Sequence, residues 1–119
     1  MGNLLLVLIV EDSESDAALI LRLLEKAGYE VHHQRVETAE DYRKALESQS
    51  WNVVISDHEM PEFSGPAALE LFKSYDLNIP FIVVSGAVGE ETIVTMMKLG
   101  AHDYVMKGKL TRLVPAIER

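Results

Sequence analysis

Apolar runs and amphipathic segments alternate along the chain. A continuous apolar run covers residues 4–10 and is typical of a strand buried on both faces. Residues 29–36 alternate loosely between apolar and polar positions and predict a second, more exposed strand. Short apolar runs predict three further strands, over residues 52–56, 81–84 and 103–106.

Apolar positions at helical spacing follow these runs. They predict a helix capped by Ser13 or Ser15 and ended by Gly28, a helix from Thr38 to about Ser48, and helices over residues 66–74, 90–99 and 110–119. Pro115 fits the last helix only within its first turn, because a proline further inside removes a backbone hydrogen bond. A chain of 119 residues is one domain by length. The alternation predicts a doubly wound α/β three-layer sandwich, with a parallel sheet between two layers of helices.

Polar side chains come at the ends of four predicted strands. Glu11 and Asp12 follow the first strand, and Asp57 follows the third. Ser85 follows the fourth strand and Lys107 the fifth. In an open parallel sheet, ligands bind outside the carboxyl ends of the strands. We therefore expect these side chains to converge on one edge of the sheet.

Each residue type in this group has a use in phosphoryl chemistry. Three adjacent carboxylates require a cation or shifted pKa values, and Mg²⁺ binds one or two carboxylates while leaving room for phosphate oxygens. A lysine can neutralise a transferring phosphoryl group, a serine can donate a hydrogen bond to it, and an aspartate can be the nucleophile. Singly, the same residues are ordinary helix-cap, turn, loop and surface residues. Only their convergence favours a phosphoryl site.

The segments around these residues resemble the receiver domains of response regulators, the CheY-like phosphoacceptors of two-component signalling, over the whole chain. The matching features are the acidic pair 11–12, the run 57–65 with Met, Pro and Gly after the aspartate, the step 85–87, and the run 100–107 up to the lysine. The resemblance implies a flavodoxin-like fold with strand order 2-1-3-4-5.

The resemblance also implies a phosphorylation site and a metal site. Asp57 would take a phosphoryl group from the phosphohistidine of a sensor histidine kinase or a histidine phosphotransfer protein. Glu11, Asp12 and Asp57 would hold Mg²⁺, with the backbone carbonyl of Glu59 as a further ligand. The phosphorylated domain would signal to an output domain or a partner protein.

The same resemblance assigns roles near the end of the chain. Lys107 and Ser85 would bind phosphoryl oxygens, and Tyr104 would change rotamer as Ser85 moves. The family usually has a proline after the lysine, often with a cis peptide bond, and here that residue is Gly108. A cis bond before glycine would cost ~3 kcal/mol. We expect a trans bond, with the wide φ range of glycine shaping the loop.

Composition excludes several other classes of protein. The chain has no cysteine, which excludes a disulfide scaffold, a thiolate zinc site and a cysteine nucleophile. A net charge of -8 argues against direct binding of nucleic acid. The longest apolar run, residues 4–10, is too short to span a bilayer and lacks the basic segment of a signal peptide. We expect a cytoplasmic protein.

Alternative functions differ in how well they fit. A haloacid-dehalogenase phosphatase needs a second aspartate where Glu59 stands, and it usually needs a larger cap domain. The main alternative is a pseudo-receiver, which has the same fold but binds a partner without being phosphorylated. Residues 115–119 look like a helix that continues. We expect residues 1–119 to be a single receiver domain excised from a longer regulator or hybrid kinase. A stand-alone receiver is the alternative.

Overall fold

The sheet has five parallel strands. A computed structural model describes residues 3–58, 60, 63–86 and 89–118. The strands are β1 Leu4–Val10, β2 Glu30–Val36, β3 Val53–Asp57, β4 Phe81–Ser85 and β5 Asp103–Met106. They lie in the order β2-β1-β3-β4-β5, with every neighbouring pair parallel. The predicted doubly wound order is confirmed.

Helices connect the strands on both faces of the sheet. They are α1 Glu14–Lys26, α2 Ala39–Ser48, α3 Gly65–Ser74, α4 Glu90–Leu99 and α5 Leu113–Glu118, with a 3₁₀ segment over Lys107–Arg112. Ser13, rather than Ser15, caps α1 by accepting a hydrogen bond from the amide of Asp16 at 3.2 Å. Among the described helices, none is both long and apolar enough to cross a bilayer.

The last helix differs from its prediction over residues 110–119. The chain forms the 3₁₀ segment first, and Lys109 leaves helical geometry with φ -134° and ψ 47°. Pro115 has no amide hydrogen, so a helix starting at residue 110 would lose a hydrogen bond and its ring would crowd the preceding turn. The helix α5 begins at Leu113 instead, which places Pro115 in its first turn, where proline is tolerated.

The long apolar run of β1 separates two halves of the core. Leu8 and Val10 pack on the side of α2, α3 and α4, whereas Val7 and Ile9 pack on the side of α1 and α5. All four side chains are fully buried. A strand between two layers of helices needs apolar residues at every position, which explains the unbroken run. By contrast, β2 is an edge strand with mostly exposed side chains, as predicted.

The backbone after Lys107 confirms one prediction and corrects another. No cis peptide bond occurs in the described part of the chain, so the bond before Gly108 is trans as expected. Gly108 does not use the left-handed region, since the described glycines with positive φ are Gly28 and Gly100. The prediction that the φ freedom of glycine shapes this loop is therefore wrong. Gly108 lies in a 3₁₀ segment, whose dihedral angles other residues also adopt without strain.

Candidate functional site

Three carboxylates meet at the carboxyl edge of the sheet. Asp57 is the last residue of β3, and Glu11 and Asp12 directly follow β1. One oxygen from each lies within 4.8 Å of the others. Glu11 and Asp57 are buried, with 2% and 7% of their surfaces exposed, whereas Asp12 is open to solvent. The predicted convergence of these three residues is present in the structure.

Hydrogen bonds to the backbone of Glu11 fix this residue at the edge of the pocket. Its amide donates to the carbonyl of Val36 at 3.0 Å, which continues the β1–β2 pairing by one residue. The Arg35 guanidinium donates to the Glu11 carbonyl at 3.0 Å. Asp57 is fixed differently, because it pairs with Val84 inside the sheet. The sequence placed Asp57 just after the strand, and the structure makes it the last strand residue.

Lys107 brings positive charge to the carboxylates. It is the first residue of the 3₁₀ segment after β5, and its side chain is 26% exposed. Its Nζ lies 3.0 Å from Oε1 of Glu11 and 3.4 Å from Oδ2 of Asp57. A lysine ammonium has three N–H donors and no acceptor, so it suits a site rich in oxygen. The ammonium therefore offsets part of the repulsion within the pocket.

Asp16 also belongs to this site, although the sequence pattern explains it only as an acidic residue in the first turn of the first predicted helix. Its Oδ2 accepts a hydrogen bond from Nζ of Lys107 at 2.6 Å, the shortest contact of that ammonium. The signal that could have identified it is its position. Because α1 begins directly after the acidic pair, its first turn stands over the same edge of the sheet.

The pocket shifts the pKa values of two of its members. Burial is the main reason why the pKa of Glu11 rises from 4.5 to about 7; the Lys107 ammonium opposes this shift, and the Asp57 carboxylate adds to it. Burial alone would lower the pKa of Lys107, but Asp16, Glu11 and Asp57 outweigh it and raise that pKa. The single ammonium of Lys107 therefore does not offset the negative charge of the carboxylates around it. A hard divalent cation held by carboxylate oxygens fits this donor set.

Ser85 and Tyr104 lie on the two strands at one side of Asp57. Tyr104 is a residue of β5 as predicted, whereas Ser85, predicted just after the fourth strand, is the last residue of β4. Ser85 ends β4 one residue beyond the partner of Asp57, and 2% of its surface is exposed. Tyr104 is buried in β5 within the core on the side of α2, α3 and α4. Glu59, predicted to offer a carbonyl ligand, falls outside the described residues, and so do two further motif residues, Pro61 and Ala87.

Comparison with known proteins identifies the family. The family model described as "Response regulator receiver domain" matches residues 7–118. The chain belongs to the response regulator receiver family. Receiver domains are signalling phosphoacceptors rather than classical enzymes, and those of two-component systems interact with histidine kinases and output domains.

Relatives of this receiver domain occur alone and as parts of larger proteins. It is 30% identical to the chemotaxis protein CheY of Thermotoga maritima over 114 residues, covering 95% of this chain and 94% of that protein. It is 31% identical to the sensor kinase/phosphatase CqsS of Vibrio cholerae and 33% identical to the transcriptional regulatory protein ZraR of Escherichia coli, each over 104 residues and 85% of this chain. It spans 15% of the first of these proteins and 22% of the second.

Solved receiver structures have the same architecture. A receiver domain protein from Clostridium thermocellum superposes with a TM-score of 0.81 at 29% identity, covering 96% of this chain and 91% of that one. The receiver domain of a signal transduction histidine kinase from Syntrophus aciditrophicus gives 0.79 at 30% identity, covering 97% and 88%.

Proposed function

We propose that this receiver domain accepts a phosphoryl group on Asp57 from the phosphohistidine of a histidine kinase or a histidine phosphotransfer protein. The observation that carries the proposal is the setting of Asp57. Its carboxylate is buried at the carboxyl edge of the sheet, beside two further carboxylates and 3.4 Å from the Lys107 ammonium. A nucleophilic carboxylate, an acidic pocket and a positioned cation are the parts that phosphoryl transfer requires.

The proposed transfer forms one bond and breaks one. A carboxylate oxygen of Asp57 attacks phosphorus and forms an O–P bond, while the N–P bond to the donor histidine breaks. The electron pair of that bond returns to the imidazole nitrogen, which takes a proton from water. Lys107 then neutralises charge on the phosphoryl oxygens, and the Ser85 hydroxyl donates a hydrogen bond to one of them.

We propose Mg²⁺ as the cofactor, held by Glu11, Asp12 and Asp57. Their clustered oxygens support a cation site, and the pKa of the Glu11 carboxyl, raised chiefly by burial and further by Asp57, fits a carboxylate that Lys107 alone does not keep charged. When bound, the ion neutralises charge that develops on the phosphoryl oxygens. The backbone carbonyl of Glu59 stays a predicted further ligand.

Phosphorylation would act by shifting the domain between two conformations. We propose that Ser85 moves toward the phosphoryl group and that Tyr104 changes rotamer with it, so that an output domain or partner protein reads the change. A place within a longer cytoplasmic regulator or hybrid kinase remains a prediction. The shares of 15% and 22% that this chain spans of two relatives fit this prediction, whereas its share of 94% of the CheY relative fits a stand-alone receiver.

The test is covalent labelling with a small phosphodonor. Incubation with Mg²⁺ and acetyl phosphate should add the mass of one phosphoryl group, and hydroxylamine should release it as expected for an acyl phosphate. Asp57→Asn should abolish the adduct, whereas Asp41→Asn, which changes an exposed aspartate in the first turn of α2, should not. Absence of the adduct, together with no binding of beryllium fluoride, would reject the proposal and favour the pseudo-receiver alternative.

A further inference from the structure

The Lys107 ammonium is closer to α1 than to the proposed phosphoacceptor. Its Nζ lies 2.6 Å from Oδ2 of Asp16, 3.0 Å from Oε1 of Glu11 and 3.4 Å from Oδ2 of Asp57. The longest of the three contacts is thus the one with the group that Lys107 would serve during phosphoryl transfer. The proposed phosphoryl transfer gives roles to Glu11 and Asp57 but none to Asp16.

The fold holds Asp16 in place. Ser13 accepts a hydrogen bond from the Asp16 amide, which fixes the first turn of α1. Further along this helix, Ile20 and Leu24 are buried in the core and anchor it to the sheet. Asp16 therefore presents its carboxylate from a rigid element. Lys107, by contrast, has a flexible side chain and begins a 3₁₀ segment in which no described side chain is fully buried.

Asp16 stands outside the group of carboxylates that fit a metal. That group consists of Glu11, Asp12 and Asp57, so a bound divalent cation would offset charge on those residues and leave the charge of Asp16 in place. The three N–H donors of Lys107 already face three carboxylates. A phosphoryl group on Asp57 brings new acceptor oxygens, which the ammonium can serve only by weakening an existing contact.

We infer that Asp16 is a positioning residue that holds Lys107 on the α1 side of the pocket and competes with the phosphoryl group for its ammonium. Asp16 thereby limits how readily the site takes up a phosphoryl group. The inference rests on the proposed function, since it assumes that Lys107 serves a group on Asp57. It adds a residue on α1 that sets the phosphoryl affinity of this particular chain.

The test compares Asp16→Asn with Glu14→Gln in the intact domain. Both changes remove one negative charge from the first turn of α1, but Glu14 pairs with Arg35 at 3.3 Å and does not contact Lys107. Beryllium fluoride with Mg²⁺ is the probe, and its affinity is measured from amide NMR spectra. Ion pairs at partly exposed sites contribute up to about 1 kcal/mol, so we expect Asp16→Asn to bind the probe roughly three- to fivefold more tightly. Glu14→Gln should change the affinity by less than about twofold.

A second readout reports on the ion pair without any phosphoryl analogue. The ¹⁵Nζ resonance of Lys107 in the metal-free protein should shift in Asp16→Asn, stay in place in Glu14→Gln, and be partly restored in Asp16→Glu. An equal affinity change in both charge-removing variants would overturn the inference, because the effect would then be general electrostatics. Unchanged or weaker binding in Asp16→Asn would also overturn it. Failure of the wild type itself to bind the probe would instead reject the proposed function.

Discussion

Gly65 approaches the backbone that follows Asp57 more closely than any side chain would allow. A Cβ atom at this position would lie 2.8 Å from Cα of His58, 3.1 Å from the Asp57 carbonyl oxygen and 3.2 Å from that of His58. The Gly65 amide also donates to the His58 carbonyl at 2.9 Å. The start of α3 is therefore packed against the peptide next to the proposed phosphoacceptor. Gly65→Ala tests this packing.

The expected cost of Gly65→Ala follows from which atoms must move. All three atoms belong to backbone, so no side chain can rotate away, and overpacking of this kind costs about 1–3 kcal/mol. Replacing glycine by alanine in a helix regains up to ~1 kcal/mol, and less at a first helical residue. We expect a net loss of about 2 kcal/mol. With an unfolding entropy of about 2.1 cal/mol/K per residue over this chain, the melting temperature should fall by roughly 8 °C.

Thermal unfolding followed by circular dichroism measures this loss, and two other glycines provide controls. A Cβ at Gly108 meets nothing within 4 Å, so Gly108→Ala should change stability by less than about 0.5 kcal/mol. Gly28 has equally open space but φ +101°, so Gly28→Ala should cost about 1–2 kcal/mol from backbone strain alone. Of the three variants, only Gly65→Ala should also slow labelling by acetyl phosphate, because it displaces the segment next to Asp57.

A melting temperature for Gly65→Ala that matches that of Gly108→Ala would refute this reasoning. It would mean that the loop after β3 shifts at no cost and that the close approach does not position Asp57. A large stability loss with unchanged labelling would mean that packing at Gly65 stabilises the fold but does not position Asp57.

Three further predictions concern the pocket and the core. Mg²⁺ at a hundredfold excess over its dissociation constant should stabilise the wild type by about 2.7 kcal/mol, and Asp12→Asn should lose most of this gain in thermal unfolding. Without metal, the Glu11 pKa of about 7, above its usual 4.5, gives a stability contribution that is complete below pH 4.5 and lost as the pH rises through about 7, so urea titrations should show less of this decline in Glu11→Gln. Tyr42→Phe should cost about 1 kcal/mol, because the buried hydroxyl donates to the Ala68 carbonyl at 3.1 Å. The Tyr29 hydroxyl, which donates an exposed hydrogen bond to the Glu118 carboxylate, provides the control. Tyr29→Phe should cost less than about 0.5 kcal/mol.

Each of these predictions has a contrary result. Equal Mg²⁺ stabilisation of wild type and Asp12→Asn would remove Asp12 from the metal ligands. A decline with pH that is the same in Glu11→Gln would mean that other groups cause it. Equal losses of stability in the two tyrosine variants would show that burying the hydrogen bond to Ala68 adds nothing to the free energy of unfolding.

The strands and the main site residues were predictable because two regular rules govern them. Strands between two helical layers must be apolar throughout, and parallel strands bring their carboxyl ends to one edge. Glu11, Asp57 and Lys107 are far apart in sequence, yet these rules alone were enough to bring them together. The strand order came from the resemblance to a family, since alternation of strands and helices fits several orders.

Two features were not predictable from pattern. Asp16 lies in the first turn of a helix, where an acidic residue is already explained by the helix dipole, so nothing in the sequence required a second contact. The sequence pattern predicts a loop and one helix after Lys107, and it misses the 3₁₀ segment because that geometry depends on the conformation of single residues such as Lys109. In both cases the decisive quantity is the direction of a side chain or a dihedral angle rather than a periodicity.

The position of Asp57 on the central strand has a consequence for how the domain would respond over time. All five residues of β3 are buried and the strand is paired on both sides, so its amides should exchange hydrogen only when the whole domain unfolds. The segment from Lys107 to Arg112 has no fully buried described side chain and should exchange through local opening. A signal at Asp57 would therefore start from the slowest-exchanging part of the molecule. It would be detected most readily as altered protection in the segment that carries the lysine, because that segment exchanges through local opening.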